Sequence, residues 1–218
     1  MIQRELSKLI KEELSTFPAV VITGPRQAGK TTMLLAEFGK QFEYRNLEDL
    51  DVRKQAIEDP RRFLNIGKPM ILDEIQRAPE LLNYIKTLID ENRDKNGQWI
   101  ITGSQQFQLM KGVTESLAGR AAILGLLPLS YSEIVNSGQN WEMNSLAEII
   151  LRGSYPELVT EPILSRNMWC GSYINSYLER DIRDLKQVGD LRQFEIFVRS
   201  CAVRTGTILN LSSLASEI

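Results

Sequence analysis

The chain has 218 residues, of which 43% are hydrophobic, and a formal net charge of −2. This length allows one full α/β domain and a small second unit but not two large domains, and the near-neutral charge gives no general attraction to nucleic acid or to an anionic membrane. Histidine is absent, which excludes Ser-His and Cys-His nucleophilic catalysis and histidine-ligated metals.

The first predicted element is an amphipathic helix over residues 2–14. Its apolar side chains recur at helical spacing, at positions 2, 6, 9, 10 and 14. Charged residues alternate with leucine here, which is unlike the apolar core of a secretion signal. Since no apolar run approaches the roughly 20 residues that cross a bilayer, we expect a cytoplasmic protein with no membrane partner.

Strand and helix signals then alternate as far as residue 127. The predicted strands cover residues 19–23, 42–47, 70–72, 99–102 and 121–127. The predicted helices between them cover residues 30–38, 51–64, 79–93 and 107–117. Five strands separated by helices are typical of an α/β fold with a parallel sheet and helices on both faces.

The first strand runs directly into GPRQAGKTT, residues 24–32. The spacing Gly-x-x-x-x-Gly-Lys-Thr is that of a phosphate-binding loop, because the glycines let the main chain approach a phosphate and the next helix offers its positive N-terminal end. We expect Lys30 to reach the outer phosphates of a nucleotide and Thr31 to bind Mg²⁺. The predicted nucleotide-binding residues are Gly24, Pro25, Arg26, Gln27, Ala28, Gly29, Lys30, Thr31 and Thr32. The alternative is a glycine-rich turn before an ordinary helix.

The third predicted strand ends in two acids, Asp73 and Glu74. Carboxylates at the carboxyl end of a buried parallel strand lie beside the phosphate loop. There Asp73 would hold Mg²⁺ directly or through water, and Glu74 would orient and polarise an attacking water. The alternative is a solvated turn or helix cap. We prefer the metal interpretation because the Mg²⁺ implied by Thr31 needs an acidic partner nearby.

The fourth predicted strand also ends in polar residues, in the run Thr102-Gly103-Ser104. Such groups suit a sensor that contacts the γ-phosphate or the water held by Glu74. We predict this role for Ser104, with Thr102 as second choice. The same run is also an ordinary turn, so the prediction depends on its position after the phosphate loop and the tandem acids.

The strand signals end after Pro128. Helical patterns cover residues 145–151, 165–188 and 191–203, so we expect a helical unit after the sheet. Residues 205–218 begin a helix typical of a helix-turn-helix unit, with Ser212 and Ser213 as its cap, but the turn and the recognition helix are missing. The predicted domains are therefore 1–140, 141–204 and 205–218. Cys170 and Cys201 are far apart and support neither a disulfide framework nor a zinc site.

Six segments occur in order: GPRQAGKTT, ILDEIQRAPELL, ITGSQQF, ESLAGR, PLSYSEI and GSYPE. Together they resemble the ATPase family called AAA domain 14, whose members usually carry a C-terminal domain named DUF4143. The resemblance covers roughly residue 2 to the end of the chain. It implies a P-loop ATPase with ATP and Mg²⁺ as ligands and with strand order 5-1-4-3-2. It also implies that the chain is truncated where a winged-helix-like C-terminal region begins.

Arginines are candidates for controlling such an ATPase, because a guanidinium at the γ-phosphate stabilises transition-state charge and can come from a neighbouring molecule. Arg120, before the fifth strand, is the predicted finger acting in trans. Its alternative is a helix C-terminal arginine favoured by the helix dipole. Arg152 is a second candidate, as a sensor in the helical unit, and Arg26 either points at phosphate or shapes the loop. The mixed charges of residues 179–184 are typical of a solvated helix face.

The sequence thus predicts an ATP-binding, Mg²⁺-dependent ATPase that couples its nucleotide state to the C-terminal region. The predicted catalytic residues are Lys30, Glu74, Ser104 and Arg120, and the predicted metal ligands are Thr31 and Asp73. A homo-oligomer and DNA, through the missing region, are its candidate partners. The alternative is a nucleotide-gated scaffold with negligible hydrolysis. The tandem acids disfavour a kinase, and the absence of an Asn-Lys-x-Asp base-reading motif disfavours GTP.

Overall fold

A computed structural model of the chain describes residues 2–103, 112–113, 115–138, 146–177 and 191–216. The chain divides into two compact units, residues 1–162 and residues 163–218. The predicted domain limits at residues 140 and 204 stay predictions. None of the helices in the described ranges combines the length and the apolar character needed to cross a bilayer.

The first unit alternates strands and helices. Its strands are β1 Ala19–Thr23, β2 Glu43–Asn46, β3 Met70–Asp73, β4 Trp99–Thr102 and β5 Ala121–Gly125. Its helices with described bounds are α1 Leu6–Thr16, α2 Lys30–Phe38, α3 Leu50–Glu58, α4 Pro60–Leu64, α5 Leu81–Glu91, α6 Tyr131–Asn136, α7 Leu146–Arg152 and α8 Pro156–Thr160. A 3-10 helix, Ile75–Arg77, follows β3. Much of the helix predicted over 107–117 lies outside the described residues.

All five strands pair in parallel, in the order β2-β3-β4-β1-β5. This is the order 5-1-4-3-2 counted from the other side, so the predicted fold class and strand order are confirmed. Parallel pairing places all carboxyl ends of the strands at one end of the sheet. The segments that follow β1, β3 and β4 therefore meet at this carboxyl end.

Both faces of the sheet are covered by helices. Successive strand side chains point to opposite faces. Val21 and Leu72 pack in a buried cluster with side chains of α3, α4 and α5, while Val20 and Ile71 pack in another with side chains of α1 and α2. The central strands β1, β3 and β4 are apolar along most of their length because neither face meets water.

The prediction of a single helix over residues 51–64 is wrong, because this segment forms two helices, α3 and α4. Asp59 interrupts it, and its carboxylate accepts a hydrogen bond from the main-chain N–H of Arg62. Pro60 is the first residue of α4. Proline suits this position because it has no N–H to donate to a preceding turn.

The second unit contains only helices among its described residues. They are α9 Arg166–Tyr177, α10 Leu191–Val203 and α11 Leu211–Ala215. The part of the predicted helix 165–188 that follows residue 177 lies outside the described residues. The predicted cap of the last helix is wrong: the side chain of Asn210 caps α11 by accepting a hydrogen bond from the N–H of Ser213. Asn210 does so because it stands just before the first helical residue, whereas Ser212 and Ser213 lie inside the first turn.

Candidate functional site

The loop between β1 and α2 lies at the carboxyl end of the sheet. Its backbone has positive φ at Gly24 (146°), Gln27 (59°) and Gly29 (90°). At Gly24 a Cβ atom would lie 2.1 Å from the carbonyl oxygen of Leu126, so this position requires glycine. The N-cap of α2 is Gly29, which has no side chain with which to cap the helix. The first N–H groups of α2 therefore face the loop as donors for an anion.

Lys30 is folded back over this loop. Its side chain is buried, and its ammonium group donates hydrogen bonds to the carbonyl oxygens of Gly24 and Pro25, both at 2.9 Å. A buried ammonium group needs acceptors. Lys30 is thus held where it can reach a ligand bound in the loop.

The acidic end of β3 meets the phosphate loop at Asp73. The hydroxyl of Thr31 donates to Asp73 Oδ2 at 2.6 Å, and the phenol of Tyr44 donates to the same oxygen at 2.9 Å. The hydroxyl of Thr102 donates to Asp73 Oδ1. The carboxylate, which is almost fully buried, therefore has three hydroxyl donors from three separate segments. The structure brings the two predicted metal ligands, Thr31 and Asp73, into direct contact.

Tyr44 is a site residue that the sequence did not reveal. It lies on β2, beside β3 in the sheet. Burial, followed by the nearby Asp73 carboxylate, raises the pKa of the Tyr44 phenol well above its ordinary value. The phenol is therefore protonated at neutral pH and acts as a donor. The strand order implied by the family resemblance places β2 next to the acid strand, and this is the only signal that points to Tyr44.

Glu74 follows Asp73 in a left-handed backbone conformation, with φ 57° and ψ 49°. This conformation is unfavourable for a residue with a side chain, and such residues often lie at functional sites. The side-chain amide of Gln76 donates a hydrogen bond to Glu74 Oε2. Gln76 is a second contact that sequence reasoning missed, although both residues lie in the recognised ILDEIQRAPELL segment.

The predicted sensor position is only partly described. Ser104 lies outside the described residues, so its sensor role stays a prediction. Thr102, the second choice, is fully buried. Its hydroxyl contacts Asp73, which places the end of β4 in the same cluster as the phosphate loop.

Arg26 belongs to the loop and lies near a second carboxylate. Its guanidinium is 3.9 Å from Glu48, and Arg77 approaches the same carboxylate oxygen at 3.9 Å. Glu48 therefore lies between two arginines close to the site. Whether Arg26 points at phosphate stays a prediction.

Arg120 does not reach the phosphate loop of its own chain. It immediately precedes β5, so it lies at the amino end of the sheet, whereas the loop lies at the carboxyl end. Its Nε and Nη2 donate to the two carboxylate oxygens of Asp90 at 2.9 and 3.0 Å. These hydrogen bonds from Arg120 lower the pKa of the Asp90 carboxyl group. A role as a finger in trans stays a prediction.

Arg152, the other candidate sensor, forms hydrogen bonds at the C-terminal end of α8. Its guanidinium donates to the carbonyl oxygens of Leu158, Glu161 and Pro162 at 2.8, 2.7 and 2.9 Å. These carbonyls lie in and just after α8, where helix carbonyl groups otherwise have no partner. The contacts give Arg152 a structural role within the first unit.

A cavity of about 320 Å³ lies beside the phosphate loop. Its lining residues include Gly29 and Met33 of the loop and α2, together with Ile2 and Pro156. A Cβ atom on Gly29 would lie 3.5 Å from Pro156 Cγ, so the GSYPE segment reaches the loop itself. The volume falls within the range of small-molecule sites, about 300–1,000 Å³.

A buried ion pair that sequence reasoning missed also supports the loop. Arg4 Nε lies 3.0 Å from Glu133 Oε1, and Arg4 Nη1 donates to the loop carbonyl of Ala28 at 2.6 Å. Arg4 and Glu133 are 129 residues apart, and no local pattern connects positions so distant.

The parallel sheet with its strand order and its loop after β1 is the fold of an AAA-type P-loop NTPase. The chain belongs to the AAA_14 family of AAA domains, whose family model matches residues 16–135. The resemblance to this family is thereby confirmed. A second family model, a domain of unknown function called DUF8612, matches residues 143–218, where the resemblance had implied DUF4143.

Two curated relatives carry the description of uncharacterized proteins. Rv2008c of Mycobacterium tuberculosis is 29% identical over 187 residues, covering 84% of this chain and 40% of the relative. MJ1544 of Methanocaldococcus jannaschii is 27% identical over 222 residues, covering 88% of this chain and 49% of the relative. The chain thus spans less than half the length of these relatives.

Two solved structures share the fold. The Walker-type ATPase paby2304 of Pyrococcus abyssi has a TM-score of 0.57 and 17% identity, and the match covers 100% of this chain and 89% of that one. AMPPCP-bound DnaA from Aquifex aeolicus has a TM-score of 0.52 and 15% identity, with 100% and 84% covered. At these identities the similarity shows the fold alone.

Proposed function

We propose that this chain binds ATP and hydrolyses it with Mg²⁺, and that the phosphate loop and the acidic end of β3 are two halves of one hydrolytic centre. The hydrogen bond from Thr31 to Asp73, at 2.6 Å, carries the proposal because it joins these halves. Family membership and the shared fold support the nucleotide-binding part.

Lys30 would bind the outer phosphates. Its ammonium group donates to two neutral carbonyl oxygens of the loop. A phosphate oxygen is charged and is therefore the stronger acceptor for a buried ammonium group. The N–H groups of the loop and of the first turn of α2 would bind the remaining phosphate oxygens.

Thr31 and Asp73 fit a magnesium site, because hydroxyl and carboxylate oxygens are ligands that Mg²⁺ prefers. Thr31 donates its hydrogen to Asp73, which leaves lone pairs on the Thr31 oxygen for a cation. The part of the chain that the structure describes has no cluster of three acidic or cysteine side chains that could cage a metal. Mg²⁺ in nucleotide sites takes most of its ligands from water and phosphate. The ion, when bound, would neutralise charge on the outer phosphates.

Glu74 is the proposed water-orienting residue. It directly follows Asp73, and its left-handed backbone is typical of a functional position. Thr102 would hold Asp73 in place, and Ser104 would sense the γ-phosphate. Arg120 would act only on the nucleotide of a neighbouring copy.

We propose that the cavity beside Gly29 binds the base and ribose of the nucleotide. Ile2, Met33 and Pro156 give it apolar walls, which suit the faces of a purine. We propose ATP over GTP because the sequence has no Asn-Lys-x-Asp motif.

We also propose that the nucleotide state is passed to the C-terminal region. Pro156 supports this, because it lies within the DUF8612 match and also lines the cavity at the loop. A ligand in the cavity would therefore contact both family regions. The homo-oligomer, the DNA partner and the cytoplasmic location stay predictions.

One contact favours the second candidate function, a nucleotide-gated scaffold with negligible turnover. The Gln76 amide occupies one oxygen of the Glu74 carboxylate. If that contact persists with ATP bound, Glu74 has one fewer oxygen with which to hold a water.

Titration of ATP with and without MgCl₂, against the wild type and Lys30→Met, tests nucleotide binding. We expect the Kd for MgATP to rise at least about 100-fold in Lys30→Met, since a buried charge-assisted contact to phosphate is lost. Lys11→Met is the matched control. Its ammonium lies on α1 and pairs with Glu37 at 2.6 Å, so its removal should leave the Kd unchanged. Equal binding by the wild type and Lys30→Met would contradict the proposal.

A further inference from the structure

Arg4 connects three segments of the first unit through one guanidinium group. It precedes α1 and is only 7% exposed. Nη1 donates to the carbonyl oxygen of Ala28 and Nη2 to that of Leu127, both at 2.6 Å. Nε donates to Glu133 Oε1 at 3.0 Å. The N-terminal segment, the phosphate loop and the chain after β5 therefore share a single buried cation.

Glu133 fixes the position of this cation. Its carboxylate also accepts hydrogen bonds from the main-chain N–H groups of Glu5, at 2.8 Å, and Ser130, at 2.9 Å. Burial by itself raises the pKa of Glu133, but the N–H groups of Ser130 and Glu5 and the Arg4 guanidinium outweigh it and hold the pKa below its ordinary value. Glu133 is thus ionised at neutral pH. Because two main-chain N–H groups hold its carboxylate, it is a fixed anionic partner for Arg4.

The contact with Ala28 has a consequence for the phosphate side of the loop. The Ala28 carbonyl and the Gly29 N–H belong to one peptide group, and described peptide bonds are trans. In a planar trans peptide these two groups point in opposite directions. An arginine that holds the carbonyl on one side therefore directs the Gly29 N–H to the other side. In a phosphate-binding loop, the main-chain N–H groups are what contact the phosphate.

We propose that Arg4 and Glu133 are positioning residues for nucleotide binding: Glu133 holds the Arg4 guanidinium, and the guanidinium holds the Ala28–Gly29 peptide in the orientation that accepts phosphate. This inference rests on the proposed ATP site. It assigns control of nucleotide affinity to two residues that lie outside the phosphate-loop motif.

The test is the Kd for MgATP in Arg4→Met, Arg4→Lys and Glu133→Gln, measured well below each variant's melting temperature. We expect Arg4→Met to raise the Kd about tenfold or more, because the charged donor to Ala28 is lost. Arg4→Lys should have a smaller effect, since lysine keeps the charge but lacks the planar fork. Glu133→Gln should also raise the Kd. The double variant Arg4→Met/Glu133→Gln should bind MgATP no more weakly than Arg4→Met alone, since the pair acts as one unit.

Asp90→Asn is the matched control. It breaks the hydrogen-bonded pair with Arg120 at the amino end of the sheet, so it should leave the Kd unchanged. The inference is overturned if the Arg4 and Glu133 variants melt at lower temperature but bind MgATP with the wild-type Kd, because the pair would then support only the fold. If Arg4→Met does not fold, Arg4→Lys and Glu133→Gln decide the question by the same criterion. A wild type that binds no MgATP would refute the proposed function instead.

Discussion

The two ends of the parallel sheet both carry a buried or half-buried aspartate, but they use it differently. At the carboxyl end, Asp73 accepts hydrogen bonds from the hydroxyls of Thr31, Tyr44 and Thr102. At the amino end, Asp90 pairs with the Arg120 guanidinium at 2.9 and 3.0 Å. One carboxylate thus has neutral donors and the other has a cation.

This difference decides what each end can do. Neutral hydroxyls fix the position of Asp73 without cancelling its charge, so the carboxylate can still attract a metal ion. Arg120 neutralises Asp90, and within the chain the resulting pair joins α5 to the start of β5. Similar residue types therefore leave a charged carboxylate at one end of the sheet and form an ion pair within the chain at the other.

Tyr44→Phe tests the carboxyl end of the sheet through its effect on turnover. It removes one donor to Asp73 with little change in shape, and we expect ATP turnover to fall about tenfold, as for the loss of one hydrogen bond to a charged group. The Mg²⁺ concentration for half-maximal turnover should rise, while the Kd for ATP without metal should not change. Phosphate release as a function of Mg²⁺ measures this effect.

Tyr131→Phe is the control for this experiment, since Tyr131 is exposed on α6. If Tyr44→Phe and Tyr131→Phe show the same Mg²⁺ dependence as the wild type, the hydroxyl cluster does not position Asp73 for a metal.

Glu133→Gln is expected to lower the stability of the fold. Breaking a buried ion pair costs about 3–5 kcal/mol, so we expect the melting temperature at pH 7 to fall by about 6–20 °C. The pKa of Glu133 in the folded protein lies below its ordinary value of 4.5. The stabilisation from its ionised form is therefore fully present above that pH and is lost as the pH falls towards the folded-state pKa.

Melting curves of the wild type and Glu133→Gln between pH 3 and pH 8 test this dependence. The difference between the two melting temperatures should be constant at neutral pH and should narrow below about pH 4.5, where glutamate protonates. A difference that is independent of pH over the whole range would show that the ionised carboxylate is not what stabilises the fold.

Asp90→Asn should have the smallest effect on stability, and it tests whether the amino end of the sheet contributes to nucleotide binding. The pair with Arg120 is partly exposed, so we expect the melting temperature to fall by at most about 2 °C. The Kd for MgATP should equal that of the wild type. A loss of nucleotide affinity would mean that the amino end of the sheet contributes to the site.

Features of the molecule that depend on adjacent residues were predictable. The phosphate loop is contiguous from Gly24 to Thr31, and the central strands are apolar because both of their faces are buried. The break at Asp59-Pro60 was also visible locally and should have divided the predicted helix. The contact of Thr31 with Asp73 followed from the rule that carboxyl ends of parallel strands meet.

The support of the site could not be predicted because it depends on distant contacts. Tyr44 becomes a partner of Asp73 only once β2 lies beside β3 in the sheet. Arg4 and Glu133 meet across 129 residues, and the Ser130-x-x-Glu133 pattern predicts only a helix cap for Glu133. The pairing of Arg120 with Asp90 was also beyond local reasoning, because the two residues are 30 positions apart, and the predicted role of Arg120 in trans stays a prediction.

Steady-state phosphate release by the wild type and by Glu74→Gln tests whether the loop and the acidic end of β3 form one hydrolytic centre. The assay requires Mg²⁺ and protein concentrations that would populate an oligomer. We predict Mg²⁺-dependent release by the wild type, and in Glu74→Gln an unchanged Kd for ATP with turnover reduced at least about 100-fold. Equal rates in the two proteins, or no release by a wild type that binds MgATP, would show that the two segments do not form a hydrolytic centre.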